Sequence, residues 1–369
     1  MMRKLSRGLL ELIASIIIAF AVIMIFFSKD ENFENLALGE FTKPYFAKVD
    51  SFPIQTVGFR DNDKIIEGWK SRGSKSIVLM LGNSQSHSIN QLKEGDRSFP
   101  GLLSDSLQQK SIDIIASSVP NANLEEFYLL YKAWVEKMPV KAVVIPVFLD
   151  DTRENGINTV FFQDLSSYKM TDTNAVAQRI NKELSSLSAS QSEDVKALNQ
   201  TYQEKTENGL NEFLNEKFPP WHLRPNLRGS LFNNLYKLRN TVFGIDAQSK
   251  RKIIKETYDK NMQALNAILA DCEKNKIAAL LYIPPIRNDY EIPYVRNEYS
   301  NFKNEMAELS KKYHIRFLNL EDVVPGKYWG YKGTRTLTGK NDIDFMHFQY
   351  PGHLLVEKAL QPEIEKLIK

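Results

Sequence analysis

Residues 76–84 read Ser-Ile-Val-Leu-Met-Leu-Gly-Asn-Ser, and this stretch decides the fold of the chain. Its apolar run has the length of a β-strand and ends at Gly82. A strand that is apolar at every position is typical of a parallel sheet, because helices cover both faces of such a sheet. The polar residues that follow would then lie at the carboxyl end of the strand, where open α/β sheets bind their ligands.

Similar apolar runs alternate with segments of helical spacing along the rest of the chain. The predicted strands are 112–116, 141–148, 277–283 and 315–318, and the predicted helices are 97–110, 124–137, 249–275 and 296–313. This alternation predicts a three-layer α/β/α sandwich with a mostly parallel, flavodoxin-like sheet and right-handed crossovers. Residues 165–245 are rich in Ser, Asn, Gln, Glu and Lys, and we interpret them as a helical insertion with a break at the Pro-Pro-Trp of 219–221.

The composition excludes several classes of protein. The chain has 369 residues, of which 43% are hydrophobic and 25% charged, as in a globular protein with a real core. Its net charge is only +3 and no Lys/Arg cluster interleaves with aromatic residues, so we expect no nucleic-acid partner. Cys272 is the single cysteine, which excludes an intrachain disulfide and a multi-cysteine metal site. We expect neither a metal nor a cofactor.

An apolar segment lies near the N-terminus. Residues 12–27 carry no charge, although a spanning helix usually needs about 20 residues. Arg3, Lys4 and Arg7 precede the segment, and the positive-inside rule then predicts that the body of the protein faces outward. A cleaved signal peptide is the alternative, but cleavage after the small-x-small motif at 19–21 would leave an apolar N-terminus, which favours a retained anchor.

These features predict three regions. Residues 1–28 form a membrane anchor, 29–74 a stalk and lead-in segment, and 75–369 the α/β domain with its insertion. The predicted location is the cell membrane, as a single-pass protein with a cytoplasmic N-terminus and an extracytoplasmic domain.

Two polar motifs at opposite ends of the domain point to chemistry. Gly82-Asn83-Ser84 follows the first predicted strand, so the serine hydroxyl would lie at the start of the next helix, whose N–H groups can stabilise an oxyanion. Asp344 and His347 lie in a polar stretch before the last helix, which we predict to be a loop or first turn. A nucleophilic serine needs a base, and the base needs a carboxylate to orient it. Ser84, His347 and Asp344 are therefore a candidate triad.

The two motifs resemble the first and last blocks of the SGNH/GDSL hydrolase superfamily. The resemblance covers about residues 75–369, except for the insertion, and rests on Gly82-Asn83-Ser84 and on Asp344-x-x-His347. It implies that Ser84 is the nucleophile, His347 the general base and Asp344 the orienting partner.

The middle blocks depart from that family. Where the family usually has a glycine after the second strand, this chain has none, and the backbone N–H of Asn121 or a side-chain amide of Asn121 or Asn123 is the candidate substitute. After the third strand the family usually has Gly-x-Asn-Asp, and here the last two positions of that motif are Asp150 and Asp151, which are candidate substrate-binding residues. An ionised carboxylate repels an oxyanion, and loss of one donor costs about 100- to 1000-fold in rate, which argues against efficient plain hydrolysis.

Other polar residues have competing interpretations. Arg287 follows two prolines at a predicted strand end and either holds an anionic substrate at the site rim or is a surface arginine. His87 either lines the pocket or faces solvent, and His353 is interpreted as a capping or packing residue. Asp150 and Asp151 are not expected to bind a metal ion, because adjacent carboxylates usually diverge.

The anchor and the triad together suggest action on the cell envelope. Outward-facing proteins similar to SGNH hydrolases include the alginate O-acetyltransferase and D-alanyl-lipoteichoic acid transfer proteins. That resemblance implies acyl transfer or acyl-ester cleavage on an envelope glycan, with an acyl donor and a multi-spanning membrane-bound O-acyltransferase as partners. The alternatives are a non-catalytic scaffold that binds polymer or that partner, and a hydrolase of small lipids or esters.

Overall fold

A computed structural model describes residues 39–158, 160–165, 168–191, 234–333 and 341–369, with short pieces at 14–15, 18, 213–214 and 216–217. The chain divides into two compact units. One unit comprises residues 41–191, 247–332 and 342–369 and contains the main sheet. The other comprises residues 1–40, 192–246 and 333–341, and within it residues 234–242 are helical.

The larger unit contains both strands and helices in alternation. Its strands are β1 (Thr42–Pro44), β2 (Lys48–Val49), β3 (Phe52–Pro53), β4 (Gln55–Val57), β5 (Ser76–Gly82), β6 (Ser88–Asn90), β7 (Ile112–Ser118), β8 (Val140–Pro146), β9 (Ala278–Ile283), β10 (Arg316–Asn319), β11 (Trp329–Tyr331) and β12 (Ile343–Phe348). Its helices are α1 (Asn62–Ser71), α2 (Ser84–His87), α3 (Phe99–Gln108), α4 (Leu124–Lys137), α5 (Val160–Leu165), α6 (Ala175–Gln191), α7 (Lys255–Asn275), α8 (Arg296–Lys312) and α9 (Tyr350–Ile368). Two 3-10 turns lie at Asp150–Thr152 and Gly326–Tyr328.

The main sheet has six parallel strands in the order β10-β9-β8-β5-β7-β4. Without β4, the five strands from β5 onward follow the order 2-1-3-4-5, which is the flavodoxin-like doubly wound order. The predicted parallel α/β class is therefore confirmed. The order reverses between β5 and β8, and ligands of such sheets bind at this switch point, beyond the carboxyl ends of the strands.

Strand β5 explains why the deciding stretch is apolar at every position. Ile77, Leu79 and Leu81 belong to the core that contains α4, α7 and α8, whereas Val78 and Met80 belong to the core that contains α3 and α9. Successive side chains of a strand point to opposite faces, so both faces of β5 are covered by helices. The three layers follow from this alternation.

The segment predicted as a stalk and lead-in differs from the structure. From residue 42 onward it belongs to the domain: β4 pairs with β7 in the main sheet, β1 pairs with β6, and α1 buries Ile65. The stalk prediction is therefore wrong for residues 42–72. The strands are two or three residues long and bury polar side chains such as Gln55, so they have no apolar periodicity that would reveal them.

The predicted insertion is described in part. Helix α6 packs one apolar face, including Val176, Ile180 and Leu184, into the same core as α4 and α7. The predicted break at residues 219–221 lies outside the described residues.

The predicted anchor at 12–27 also lies outside the described residues, apart from Ala14, Ser15 and Ile18. Among the helices in the described ranges, none has both the length and the apolar character that crossing a membrane requires.

Candidate active site

The turn between β5 and α2 presents the candidate nucleophile. Ser84 is the first residue of α2, and Asn83 caps that helix, with its Oδ1 accepting from the Gln85 N–H at 3.1 Å. A Cβ at Gly82 would lie 2.6 Å from Ser86 Oγ, so only glycine fits there. Ser86 is held in place because its hydroxyl donates to the Asn83 carbonyl at 2.8 Å. The glycine is therefore needed for a close approach within the turn.

The segment that carries the candidate base is a bulged strand, where a loop or first helical turn was predicted. β12 pairs with β11 at its two ends, where Ile343 faces Tyr331 and Phe348 faces Trp329. Between these two pairs β11 has one residue, Gly330, whereas β12 has residues 344–347. The extra residues of β12 therefore bulge out of the ladder. Within the bulge, Asp344 Oδ1 accepts from the N–H groups of Met346 and His347, at 2.9 and 3.0 Å. This local turn lets side chains three residues apart meet.

The structure brings the three predicted triad residues together. Ser84 Oγ lies 2.9 Å from His347 Nε2, and His347 Nδ1 lies 3.0 Å from Asp344 Oδ2. Both distances are those of hydrogen bonds, and their sequence, from hydroxyl to imidazole to carboxylate, is that of a serine-hydrolase triad. Asp344 is fully buried and His347 is 2% exposed, while Ser84 retains 8% of its surface. The hydroxyl is thus the part of the set that lies nearest to solvent.

The buried carboxylate of Asp344 is held in its ionised form. Burial alone would raise its pKa, but electrostatic interactions with His347 and Lys332 and the hydrogen bonds from His347 and Met346 outweigh burial and lower the pKa below its usual range. An ionised Asp344 accepts from Nδ1–H of His347. This leaves Nε2 as the acceptor for the Ser84 proton.

Gln85 ties the nucleophile turn to the base, and no sequence signal pointed to it. Its side-chain Nε2 donates to the carbonyls of Pro285 and Met346, at 2.9 and 2.7 Å. Because Gln85 is 3% exposed, these bonds fix the loop after β9 and the β12 bulge against the residue next to Ser84. We expect this linkage to hold the distance between Ser84 and His347.

Asp151 supports the same turn from the loop after β8. Its Oδ1 accepts from Asn83 Nδ2 at 3.0 Å, and its Oδ2 accepts from the Phe148 N–H at 3.1 Å. Burial raises its pKa well above the ordinary value, and the hydrogen bonds from Phe148 and Asn83 only partly oppose this. Both of its oxygens are engaged in holding protein groups, so Asp151 acts on the site through Asn83.

Two residues predicted to face the oxyanion or the substrate, Asn123 and Asp150, have other roles. Asn123 forms a capping box with Glu126 at the start of α4, and its amide donates to the Gly156 carbonyl at 2.6 Å. Asp150 pairs with Arg251 and accepts from Tyr294 Oη at 3.2 Å. The prediction is therefore wrong for the Asn123 amide and for a substrate-facing Asp150. Asn121 adopts a left-handed conformation with φ 52° beyond the end of β7, with its side chain exposed.

Arg287 differs from its predicted role as a free anion-binding residue. Its guanidinium donates to Asp289 through Nε and Nη2, at 2.8 and 3.2 Å, and to the Gly330 carbonyl through Nη1 at 2.6 Å. The side chain is 4% exposed, so it is neither a surface arginine nor free to bind a substrate anion. Its positive charge is balanced by Asp289.

The two other histidines are buried in the domain. His87 is 1% exposed, so the expectation that it faces solvent is wrong: its Nδ1 lies 2.7 Å from Ser118 Oγ, and its ring stacks on Phe46. Burial, followed by the charge of His347, lowers the pKa of His87 to about 3. His353 is confirmed as a packing residue, between Phe99 and Phe348, and its Nδ1 accepts from the Phe99 N–H at 3.1 Å. In the described ranges, no group of three or more His, Cys, Asp or Glu side chains is arranged to hold a metal ion.

No family model and no curated protein matches this chain. Solved structures similar to it include a GDSL-like lipase from Bacteroides thetaiotaomicron VPI-5482, at 12% identity and a TM-score of 0.36, over 80% of this chain and 90% of the lipase. An acetylxylan esterase from Geobacillus stearothermophilus is similar at 9% identity and a TM-score of 0.38, over 78% of this chain and 94% of the esterase. Likenesses this distant do not assign an activity to this chain.

Proposed function

We propose that this chain is a serine esterase or acyltransferase, in which Ser84 is the nucleophile, His347 the general base and Asp344 the group that orients His347. The observation that carries the proposal is the hydrogen-bonded series from Ser84 Oγ through His347 to Asp344, at the start of α2. A serine hydroxyl is a weak nucleophile by itself, and this series supplies the base and the orienting carboxylate that it needs.

The reaction runs in two steps. Ser84 Oγ attacks the carbonyl carbon of an acyl ester while His347 Nε2 takes the hydroxyl proton, and the alcohol leaves with that proton as the acyl–Ser84 ester forms. Water or a second alcohol then gives its proton to His347 and attacks the acyl carbon, and Ser84 regains its proton as it leaves. The first acceptor gives hydrolysis and the second gives acyl transfer, and exclusion of water decides between them.

The developing oxyanion needs donors from the backbone, because the Asn123 amide is engaged elsewhere and the carboxylate of Asp150, paired with Arg251, has no proton to donate. The N–H of Ser84 in the first turn of α2 and the N–H of Asn121 are the candidates. The same scarcity of side-chain donors favours the second candidate function, a non-catalytic scaffold that binds an envelope polymer or a membrane-bound O-acyltransferase. The buried and fully hydrogen-bonded carboxylate of Asp344 favours catalysis, because a scaffold has no need to hold a charge there.

The proposed substrate is an O-acyl group on a cell-envelope polysaccharide. The support is the apolar segment at 12–27 with its basic flank, which would tether the domain at the outer face of a membrane. A single helix cannot carry an acyl group across a bilayer, so the acyl donor would come from a multi-spanning partner. Hydrolysis of a lipid or another small ester near the membrane uses the same triad and differs only in substrate.

The full-length protein in detergent, treated with a fluorophosphonate probe, tests for an activated serine. We expect labelling of the wild type and its loss in Ser84→Ala and His347→Ala. Ser118→Ala is the matched control, since Ser118 also hydrogen-bonds a buried histidine. If a folded wild-type protein takes no label, or if Ser84→Ala labels normally, the catalytic proposal fails and the scaffold function is favoured.

The membrane topology has its own test. A periplasm-dependent phosphatase fused after Lys369 should be active, and the fusion should stay in the membrane pellet after alkaline carbonate extraction. Replacing Arg3, Lys4 and Arg7 with glutamate should reduce phosphatase activity, because the basic flank sets the orientation. A carbonate-soluble or inactive wild-type fusion would contradict the anchored, outward-facing arrangement.

A further inference from the structure

Two half-exposed tyrosines lie beside the β12 bulge. Tyr290 is 37% exposed and Tyr331 is 39% exposed, although large aromatic side chains are usually buried. Tyr331 ends β11 and faces Ile343, the residue before Asp344. Tyr290 follows the loop in which the Arg287 N–H contacts the Phe345 carbonyl at 3.5 Å. Both rings therefore belong to segments that touch the bulge carrying Asp344 and His347.

Arg287 fixes the orientation of both rings. Its guanidinium carbon lies 4.7 Å from the centroid of Tyr290 and 5.2 Å from that of Tyr331, so one cation contacts both rings. The guanidinium is itself held by Asp289 and the Gly330 carbonyl. An exposed pair of rings held this firmly loses little side-chain entropy when a ligand stacks on it.

A carboxylate lies next to this pair. Asp289 is 38% exposed at its side chain, and its oxygens bind the guanidinium that lies over both rings. A flat apolar surface with hydrogen-bonding groups at its edge suits a pyranose ring, which has a C–H face and a rim of hydroxyls. A long acyl chain would favour an apolar surface without this polar rim.

We infer that Tyr290 and Tyr331, which we call the tyrosine pair, form a stacking subsite for a pyranose ring of a glycan whose O-acyl group reaches Ser84. This inference rests on the proposed esterase activity on a glycan and assigns the residues that bind the sugar. Arg287 acts in it as a positioning residue, which gives a role to a nearly buried arginine whose charge Asp289 already balances.

Full-length protein in detergent should be assayed on three esters: acetylated cellotetraose, p-nitrophenyl acetate and p-nitrophenyl octanoate. Tyr290→Ala and Tyr331→Ala should lower the ratio of kcat/KM on the sugar ester to kcat/KM on p-nitrophenyl acetate by about 5- to 10-fold, through KM. Phenylalanine at either position keeps the ring and should hold this ratio within about twofold of wild type. An unchanged ratio in both alanine variants, or a fall in the octanoate ratio instead, would overturn the glycan subsite.

Tyr313→Ala is the matched control. Tyr313 is half-buried with Lys312 stacked at 4.7 Å, but it precedes β10 and so lies at the amino edge of the sheet, opposite Ser84. Its removal should leave all three activities unchanged.

A binding measurement separates failure of the subsite from failure of the proposed activity. Saturation-transfer NMR detects cellotetraose bound to the Ser84→Ala variant, and this measurement does not require the protein to cleave an ester. Sugar contacts that disappear when Tyr290→Ala is added support the subsite even if no ester is cleaved. Absence of sugar contacts in the Ser84→Ala protein, alongside cleavage of p-nitrophenyl acetate by the wild type, overturns the subsite and leaves the esterase proposal intact.

Discussion

Two serine–histidine pairs lie near the carboxyl edge of the same sheet, and they differ in what surrounds them. In one, Ser84 Oγ is 2.9 Å from His347 Nε2, and in the other Ser118 Oγ is 2.7 Å from His87 Nδ1. Judged by the serine–histidine distance alone, the second pair is as good as the first. A short hydrogen bond between the two side chains is therefore not enough to identify a nucleophile.

The difference lies in the second partner of each histidine. His347 faces the ionised carboxylate of Asp344, which stabilises an imidazolium when the base takes a proton. His87 stacks on the Phe46 ring, and burial lowers its pKa to about 3, so a protonated His87 is strongly disfavoured. Ser118 is also 1% exposed, against 8% for Ser84. Charge and access, more than distance, separate a proposed catalytic pair from a packing pair.

The largest expected effect comes from exchanging the two serines for alanine. Ser84→Ala should reduce ester turnover by at least about 1000-fold, because the nucleophile is lost. Ser118→Ala should keep turnover within a few-fold of wild type while lowering the melting temperature, since it leaves buried His87 without its partner. Initial rates on p-nitrophenyl acetate measure both, and equal losses in the two variants would contradict the distinction between the pairs.

Removing the charge behind His347 should have the next largest effect. Asp344→Asn retains the shape of the side chain but favours the wrong tautomer, with Nε2 protonated, and kcat should fall by about 1000- to 10,000-fold. The loss should appear in kcat with little change in KM, and far-UV circular dichroism should confirm that the variant is folded. A fall of less than about tenfold would mean that His347 does not need Asp344, and the contrast with His87 would lose its basis.

Alanine variants of the neighbouring carboxylates Asp150 and Asp151 should distinguish a residue that positions the nucleophile from one that only stabilises the fold. Asp151→Ala removes the acceptor of Asn83 and should lower kcat by about 10- to 100-fold, because displacement of the nucleophile turn misaligns Ser84. Asp150→Ala breaks the pair with Arg251 and should lower the melting temperature. Its kcat should fall by less than about threefold, because Asp150 stabilises the fold without positioning Ser84. Steady-state kinetics and thermal melts of both variants measure these effects. An equal loss of kcat in the two variants would mean that Asp150 also positions the site.

The smallest expected effect is the acid stability conferred by buried His87. Its folded pKa of about 3 lies below the ordinary 6.5, so its contribution to stability is complete above pH 6.5 and is lost as pH falls towards 3. Replacement by glutamine, which can still bond Ser118, should flatten the fall of the melting temperature between pH 6.5 and 4. His353, with a pKa of about 3, contributes in the same direction, so part of the slope should remain. An unchanged slope would show that His87 is not held neutral by burial.

The sequence was sufficient for the sheet and for the three residues that the structure brings together as a candidate triad. Long apolar runs such as 76–81 can only be buried on both faces, which dictates a parallel sheet, and the helix at 124–137 was predicted with its observed bounds. The short strands before residue 75 were missed because polar side chains such as Gln55 are buried there and hydrogen-bonded to backbone groups. Periodicity cannot reveal a buried polar residue whose partner lies in a distant segment.

The sequence by itself determined which residue types were available for chemistry and that Ser84 follows the end of a buried strand, because local periodicity and turn chemistry are properties of neighbouring residues. Only the tertiary structure decided their partners: that His347 is paired with a carboxylate and His87 with an aromatic ring, that Asn123 caps a helix, and that Arg287 is neutralised by Asp289. These outcomes depend on contacts between distant segments, such as the 263 residues that separate Ser84 from His347. Long-range packing sets burial and charge there, and burial and charge set the chemistry of each side chain.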